Sequence, residues 1–599
     1  MPRNGQGESV KSLCVSVLTV AVTLAAITPA GTDTYMVGNT QDSGPGTLRW
    51  AVNQSNSHIG PDTVLFAIPP SDPGFNPELG VWTINTCGQE IEDDGTFIDG
   101  SSQARFAGGD PNPLGPEIEM AGPAMGHGIL VGTDDNVVRG LCIHHYNVFA
   151  VSVDAPRGEL AENNVVAGCY LNVDPTGSHV EVGPQGVVGG IEADSAWGLL
   201  IGGDAPEDRN VIAGAVAWDV TVDESGDVQI INNFIGTDRT GTVPLSDANI
   251  ALDIYGSIGP HLVRDNLIAS YTWMTTVFIM NTDPDSGLVT FVHNRVGVPS
   301  PGGWTAGEYV TLGHSPRHLL LENTIGEAHG WKGFYLNSGD TDYVTISRNS
   351  TYDCQKLGID LSNPGNETPG QVDYVDGVYG PGVNEEIDPP LCESITSSPE
   401  GQGGTTTVYF RCMADCIAEV FVADPNYGQD CSESGYGRVH SGMTYLGDAD
   451  EVIVGEPWST YRFSISPALP AGTYVTATAT NQNGSTSEFG CTCQVPQMGA
   501  SDRGCVPTEY RLGPPSPNPC TESTVIRYDI PEPGRVRIAA YDVAGNLAAD
   551  ILDEYRAEGI HALRWDTESP DGTPLPGGLY LLRLVTDGFV ASARVVVVR

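Results

Sequence analysis

"NNFIGTDRTGTVPL", residues 232–245, holds two asparagines, a short apolar run, a Gly-Thr-Asp corner and a polar Thr-Gly-Thr turn. Related pieces recur: "ENNVVAGCYLN" begins at 162, "VRDNLIAS" at 263, "VTFVHNRVGV" at 289, "LLLENTIGEAHG" at 319 and "VTISRNSTYDC" at 344. Asn233, Asn266, Asn294, Asn323 and Asn349 follow one another at intervals of 33, 28, 29 and 26 residues, each behind an apolar strand-like run. Strands at such a period, without amphipathic helices between them, predict a solenoid of stacked β-coils. A single coil cannot bury its inward face alone, so its apolar positions must stack on the coils above and below. The corner between two short strands needs a residue that tolerates left-handed backbone and satisfies its own polar groups. Asn does both, and stacked Asn side chains hydrogen-bond along the solenoid axis. These five Asn are therefore expected at coil corners, as structural residues rather than as the lining of a ligand groove.

The bulk numbers bound the rest. At 599 residues the chain exceeds one ordinary domain. Short Val/Ile/Leu/Thr runs between Gly, Asn, Asp and Pro indicate an all-β protein. Against 75 Asp and Glu stand 27 Lys and Arg, a net charge of −48. Such a surface repels nucleic acid and anionic membranes. It also disfavours an acidic polysaccharide unless Ca²⁺ bridges the two, and no other cofactor is expected. Arg3 and Lys11 flank the start of "LCVSVLTVAVTLAAI" (13–27), with small residues up to Ala30. Residues 1–30 are thus expected as a secretory signal peptide, too short in its apolar run for the ~20 residues of a membrane span. An exported chain with an even number of Cys beyond that segment predicts disulfides, concentrated late in the chain. Cys505 and Cys520 are the one pair expected to bond.

The opening stretch closely resembles a recurring segment of secreted bacterial right-handed parallel β-helix proteins, in which an Asn-rich corner runs into Ile-Gly-Thr-Asp-x-x-Gly-Thr. "DSGPGTLRWAVNQSN" (42–56), "PDTVLFAIP" (61–69), "TFIDGSSQ" (96–103) and "GHGILVGTDDNVVRGLCI" (126–143) resemble the opening of the same group. The resemblance implies a β-helix over 31–390 whose Leu-Arg-x-Ala-Val piece forms a short helix capping the first coil. Residues 391–497, with crowded Cys and alternating strands, are similar to the Ig-like module that follows such β-helices. Residues 498–522, rich in Gly and Pro, read as a linker. Beyond it, "PNP" (517–519), "STVIRYDIPEPGRVRIAAYDVAGN" (523–546), "GIHALRWD" (559–566) and "GLYLLRLVTDG" (578–588) resemble the C-terminal sorting domain of type IX secretion cargo and the related Ig-like domain of flagellar hook-capping proteins. That likeness implies that 523–599 engages the secretion machinery. Cys520 stands where the family usually has Phe.

Catalytic signals are weak. "NTD" (281–283), "DD" (134–135) and "GHG" (126–128) are shared with galacturonan hydrolases, but there they run in the opposite order. Each coil fixes its place along the axis, so reversed order does not rebuild the cluster. Asp238, Asp253, Asp265 and Asp283 could approach one face on successive coils, but equally suit solvated turns. Arg264, Arg295 and Arg348 sit beside the corner Asn and are expected to pair with nearby carboxylates. His144 and His145 are adjacent, and neighbouring strand residues point to opposite faces, which argues against one shared ion. Trp197, Trp218, Trp273, Trp304 and Trp331 are expected to fill cores or cover insertions rather than to stack sugars. The expectation is an exported, secreted or surface-attached scaffold that binds an extracellular glycan or surface protein, without a catalytic site. The alternative is a polysaccharide lyase or glycoside hydrolase, which would show two carboxylates about 5–10 Å apart in an aromatic-lined groove.

Overall fold

The computed structural model describes residues 33–599 apart from 157, 184–185, 247, 271–273, 298–307, 327–330, 339, 355–356, 362–382, 399–403, 414, 431–437, 454–457, 491, 497–500, 503–509, 514, 516–517, 522, 557–558, 570–572 and 587. The predicted signal peptide, Cys505, Trp273 and Trp304 lie outside the described residues.

Strands of two to six residues stack into three long sheets of eleven, eleven and ten strands among the described residues. Every neighbouring pair in them is parallel except Phe75–Asn76 with Val81–Asn85. Each coil contributes one strand to each sheet in turn, as at Gln229–Ile231, Phe234–Ile235 and Ile250–Tyr255. The molecule is thus a parallel β-helix, and one continuous apolar core runs up its axis from Val37 to Leu361.

The paired Asn of the opening stretch divide the corner's two tasks. Left-handed backbone falls on the residue before each ladder Asn: Asn232, Asp265, His293, Glu322 and Arg348 have φ between +55° and +59°. The following Asn turns its side chain inward and is buried. The backbone N–H of Asn233 donates to Asn266 Oδ1 (2.8 Å), that of Asn266 to Asn294 (3.0 Å), that of Asn294 to Asn323 (2.8 Å) and that of Asn323 to Asn349 (2.8 Å). The ladder extends below through Asn210, whose N–H donates to Asn233 Oδ1 at 3.2 Å. A buried corner N–H needs such a partner, because the strand ladder does not reach it. The sequence expectation joined both tasks in one residue; the structure separates them, which explains why Asp, His, Glu and Arg are tolerated at the exposed position.

The rest of the stretch, "GTDRTGTVPL", leaves the coil as a flap. Asp238 Oδ1 accepts from the N–H groups of Thr242 and Val243, both at 3.0 Å, closing a turn bridged at Thr237 and Pro244. Asp174 Oδ1 does the same for Ser178 (2.8 Å) and His179 (2.9 Å) in "DPTGSHV". The flaps join where the Arg239 N–H donates to the Gly177 carbonyl at 2.8 Å. Beneath them, Val173, Val211 and Ala213 form a small apolar cluster on the outside of the second sheet.

Both solenoid ends are covered. At the first coil, helix Leu48–Ser55 buries Leu48, Ala51 and Val52, and Thr47 caps it by accepting from the Trp50 N–H. At the last coil the first sandwich supplies the missing partners. The N–H of Arg348 donates to Glu419 Oε2 (2.8 Å), that of Asp353 to Asp424 Oδ2 (2.8 Å), that of Leu361 to Glu488 Oε1 (2.9 Å) and that of Ile346 to Thr486 Oγ1 (2.9 Å). Phe421 and Phe489 of the sandwich enter the solenoid core. An uncapped end would present open sheet edges to other chains.

Among the described residues that sandwich is antiparallel with eight strands, ordered Cys493–Gln494, Tyr474–Thr480, Ile417–Asp430, Arg438–Ile453, Trp458–Ile465, Thr405–Met413, Leu391–Ser398 and Ser501–Asp502. A disulfide joins Cys392 and Cys493. The stretch 498–522, expected as a linker, contributes to both sandwiches: Ser501–Asp502 pairs with Leu391–Ser398, and Arg511–Leu512 pairs with Thr524–Ile530. The second sandwich sets three strands against four. Its strand Leu547–Arg556 departs from strict alternation, because it carries an extra residue, Ile551, opposite Ile538–Ala539 and another, Ala548, opposite Ala540–Tyr541. Cys520 is buried, its thiol 3.6 Å from the Val596 carbonyl.

Candidate functional site

The outer face of the third sheet gathers carboxylates that no sequence motif announced. In strands Phe149–Asp154, Gly189–Asp194, Trp218–Asp223 and Ile250–Tyr255, the residues Val151, Val153, Ile191, Ala193, Val220, Val222, Leu252 and Ile254 point into the core. The alternation places Ser152, Asp154, Glu192, Asp194, Thr221, Asp223, Asp253 and Tyr255 on the outside. Register aligns them into two columns. Asp154, Asp194, Asp223 and Tyr255 stand side by side, and so do Ser152, Glu192, Thr221 and Asp253. Adjacent members are separated by the strand spacing of about 4.8 Å.

Like charges in direct register destabilise a sheet, so three stacked Asp are a cost that folding alone does not require. Among the described residues no cation acts on these carboxyls. Burial raises the pKa of Asp154, with Asp194 adding to it. Burial likewise raises Glu192, against a 2.6 Å hydrogen bond from Ser152 and reinforced by Asp154, Asp194 and Asp223. Burial and the charge of Asp194 raise Asp223. Asp253 goes furthest: burial and then Asp223 push it up to about 7, against a hydrogen bond from the Trp218 side chain. Asp253 is 8% exposed, and its Oδ1 has no hydrogen-bond partner in the structure.

Aromatic side chains border the columns. Trp218 reaches Asp253, and Tyr255, 42% exposed, continues the Asp column. Along the Asp253 column follow Phe278, Thr311, Tyr335 and Asp360. There the carboxylate is neutralised: Lys332 Nζ lies 3.2 Å from Asp360 Oδ2 and 3.2 Å from the centre of the Tyr335 ring. The unneutralised section therefore spans the four strands from Phe149 to Tyr255.

The residues singled out from sequence are distributed elsewhere, Asp253 and Trp218 excepted. Asn233, Asn266, Asn294, Asn323 and Asn349 are buried in the corner ladder, out of reach of a ligand. Asp238 closes a flap turn, Asp265 pairs with Arg264, and Asp283 caps a turn by accepting from Ser286. Arg264 also meets Asp204 at 2.6 Å, and Arg348 meets Glu322 at 3.5 Å. Trp197 packs over Gly226 and Gly259, where a Cβ would strike its ring, while Trp331 is 53% exposed. His144 and His145 do not point apart. The strand ends at His144, and His145 takes φ +65°, which brings the ring centres to 4.6 Å and the Nδ1 atoms to 2.9 Å. Glu119 holds the buried His144 at 2.9 Å, and Glu181 faces His145 at 3.5 Å. Among the described residues no group of three or more His, Cys, Asp or Glu is placed to hold a metal ion.

One sequence signal could have found the carboxylate columns. "VSVD" (151–154), "IEAD" (191–194), "VTVD" (220–223) and "LDIY" (252–255) are four period-two strands with polar groups at matching places.

Neither a protein-family model nor a curated protein matches the sequence. Among solved structures, the chain is similar to the tailspike protein gp49 of Acinetobacter baumannii bacteriophage Fri1, a capsular polysaccharide depolymerase. The identity is 12%, the match covers 74% of this chain and 72% of that one, and the TM-score is 0.21. For tailspike protein 4 of bacteriophage CBA120 the identity is 9%, the coverage 92% and 65%, and the TM-score 0.26. For latent PorU from Porphyromonas gingivalis the values are 16%, 35% and 20%, and 0.15, so the match spans a fifth of that chain's length. Likeness at this level carries no argument about function. Among the described residues no helix is long and apolar enough to cross a membrane.

Proposed function

We propose that this is an exported protein that holds an uncharged extracellular glycan along the outer face of its third sheet. The observation that carries the reading is the pair of unneutralised carboxylate columns bordered by Trp218 and Tyr255. Carboxylates accept hydrogen bonds from sugar hydroxyls, and exposed aromatic faces stack on sugar rings. An anionic polymer would meet Asp154, Glu192, Asp194, Asp223 and a net charge of −48, and would be repelled. Export through residues 1–30 rests on the basic, apolar and small-residue pattern of that segment, and sorting through 523–599, by contact with the secretion machinery, on the sequence resemblance alone.

The test is binding of the full mature chain to neutral and anionic polysaccharides by affinity electrophoresis. Retardation by at least one neutral polymer, and loss of it in Trp218→Ala and Tyr255→Ala, is the expected result. Retardation only by anionic polymers would overturn the reading. Fusing 523–599 to a reporter in a type IX-secreting host tests the sorting assignment; a reporter retained in the cell would remove it.

A further inference from the structure

We propose that the same face hydrolyses the glycan it holds, with Asp253 giving a proton to the glycosidic oxygen and Asp223 activating the attacking water. The inference rests on the glycan-binding reading above and deepens it.

Three features single out Asp253 as the acid. The residue is 8% exposed, yet it stands on the outward side of its strand, because Leu252 and Ile254 on either side point into the core. Its Oδ1 has no partner, while Trp218 hydrogen-bonds the carboxyl and fixes its orientation. A neutral acid held this way can donate at neutral pH, where an ordinary Asp has no proton to give. Folding alone offers no reason to bury an oxygen that nothing satisfies; Oδ1 is enclosed in the unliganded structure, and a glycosidic oxygen would satisfy it on displacing its cover.

Asp223 is the best-placed base. The register partner of Asp253 on the next strand is Thr221, and Asp223 lies two residues further along on the same face. Strand spacing of about 4.8 Å and a two-residue rise of about 6.6 Å put the two positions about 8 Å apart. Side chains leaving the strand in parallel would carry that spacing to the carboxyls. It falls in the about 6.5–9.5 Å range that admits both a sugar carbon and a water, and so predicts inversion at the anomeric carbon. Glu192 is less suited, two strands away from Asp253 and tied to Ser152.

The step balances without a cofactor. A water oxygen bonds to the anomeric carbon as the bond to the leaving oxygen breaks. Asp223 takes the water's proton, and Asp253 gives its own to the leaving oxygen. One water is consumed and one new reducing end appears; solvent exchange then returns both carboxyls to their starting states.

The experiment uses the full mature chain against a panel of neutral polysaccharides (a glucan, a galactan, a mannan and a xylan). Binding is scored by affinity electrophoresis, and cleavage by new reducing ends, with the first-formed anomer followed by NMR. The expected result is cleavage of a bound polymer with inversion. Asp253→Asn should lose about 10²–10⁴-fold in cleavage, a loss larger than any change in its binding to the same polymer. The variant should recover most of its rate on a dinitrophenyl glycoside of the same sugar, whose leaving group needs no proton. Asp223→Asn should lose activity on both substrates. A wild type that binds but releases no ends would overturn this inference and leave the binding reading standing. A wild type that binds nothing in the panel would overturn both. Retained configuration, unsaturated products, or full activity in either variant would overturn the residue assignment.

Discussion

Replacing Asn266 by Ala should unfold the middle of the solenoid more readily than any exposed substitution. Asn266 is 2% exposed. Its Oδ1 accepts from the N–H and Nδ2 of Asn233 at 2.8 and 3.1 Å. Its Nδ2 donates to the carbonyls of Ile230 (2.8 Å) and Arg264 (3.0 Å) and to Asn294 Oδ1 (3.0 Å). Ala removes all five bonds. The Asn233 N–H is left buried without its partner, and the Ile230 carbonyl loses a donor. Each such orphan costs about 1–3 kcal/mol, so the total is about 2–6 kcal/mol. Asp at 266 would keep the acceptors, lose the donors and bury a charge, and should be at least as damaging. The assay is urea unfolding followed by circular dichroism, with hydrogen exchange by mass spectrometry over residues 230–295. Exchange should quicken first at 233 and its neighbours, because a solenoid loses stability locally. The exposed Asn53→Ala serves as control, expected within about 0.5 kcal/mol of the wild type. A loss at Asn266 no larger than that of the control would refute the assignment of the corner N–H groups to the ladder.

Three further outcomes follow from burial and charge. Asp253 and Glu419 are both raised to about 7, so between the unfolded carboxyl range and pH 7 the folded state holds protons that the unfolded chain has released. These two groups contribute stability that is lost as pH rises from about 4.5 to 7, opposed over the same window by His261 and His318, which burial pushes down to about 4 and about 3. Asp253→Asn with Glu419→Gln should therefore make the thermal midpoint rise more steeply with pH than in the wild type, and an unchanged slope would contradict it. Below about pH 4 stability should fall with pH in both, since Asp174 and Asp238, held low by their turn hydrogen bonds against the effect of burial, then become protonated. Cys392→Ser opens a cross-link between residues 101 apart and should cost about 2–4 kcal/mol in the first sandwich, measured as a lower unfolding midpoint that reductant also produces in the wild type. Ending the chain at residue 390 removes Glu419, Asp424, Thr486 and Glu488 from the last coil and should cause concentration-dependent association by light scattering; a monodisperse 31–390 fragment would show that the sandwich is dispensable as a cap.

Much of the architecture was legible in the amino-acid order, because a solenoid writes its fold locally. The interval between Asn233, Asn266, Asn294, Asn323 and Asn349 announces the coil, and the apolar runs beside them announce the strands. "LRWAV" announces the capping helix, found at Leu48–Ser55. The alternation after residue 391 announces antiparallel sandwiches, except where bulges break it at Leu547–Arg556. The four acidic strands were visible as period-two segments, but their alignment into columns was not legible. Between "VSVD", "IEAD", "VTVD" and "LDIY" the offsets are 40, 29 and 32 residues, and a sequence cannot tell which residues a flap absorbs. Only the closed coils, with "DPTGSHV" looped out over the second sheet, bring Asp154, Asp194 and Asp223 into register. Chain order likewise gives no hint that Glu419 ends the solenoid from another domain, or that His145 turns back onto His144. Periodicity is a property of neighbours along the chain, and the sequence by itself determined what depends on it: coils, corners and strands. Alignment between coils depends on how every intervening corner closes, and that was decided only by tertiary packing, which also withholds water from Asp253 and so sets its chemistry.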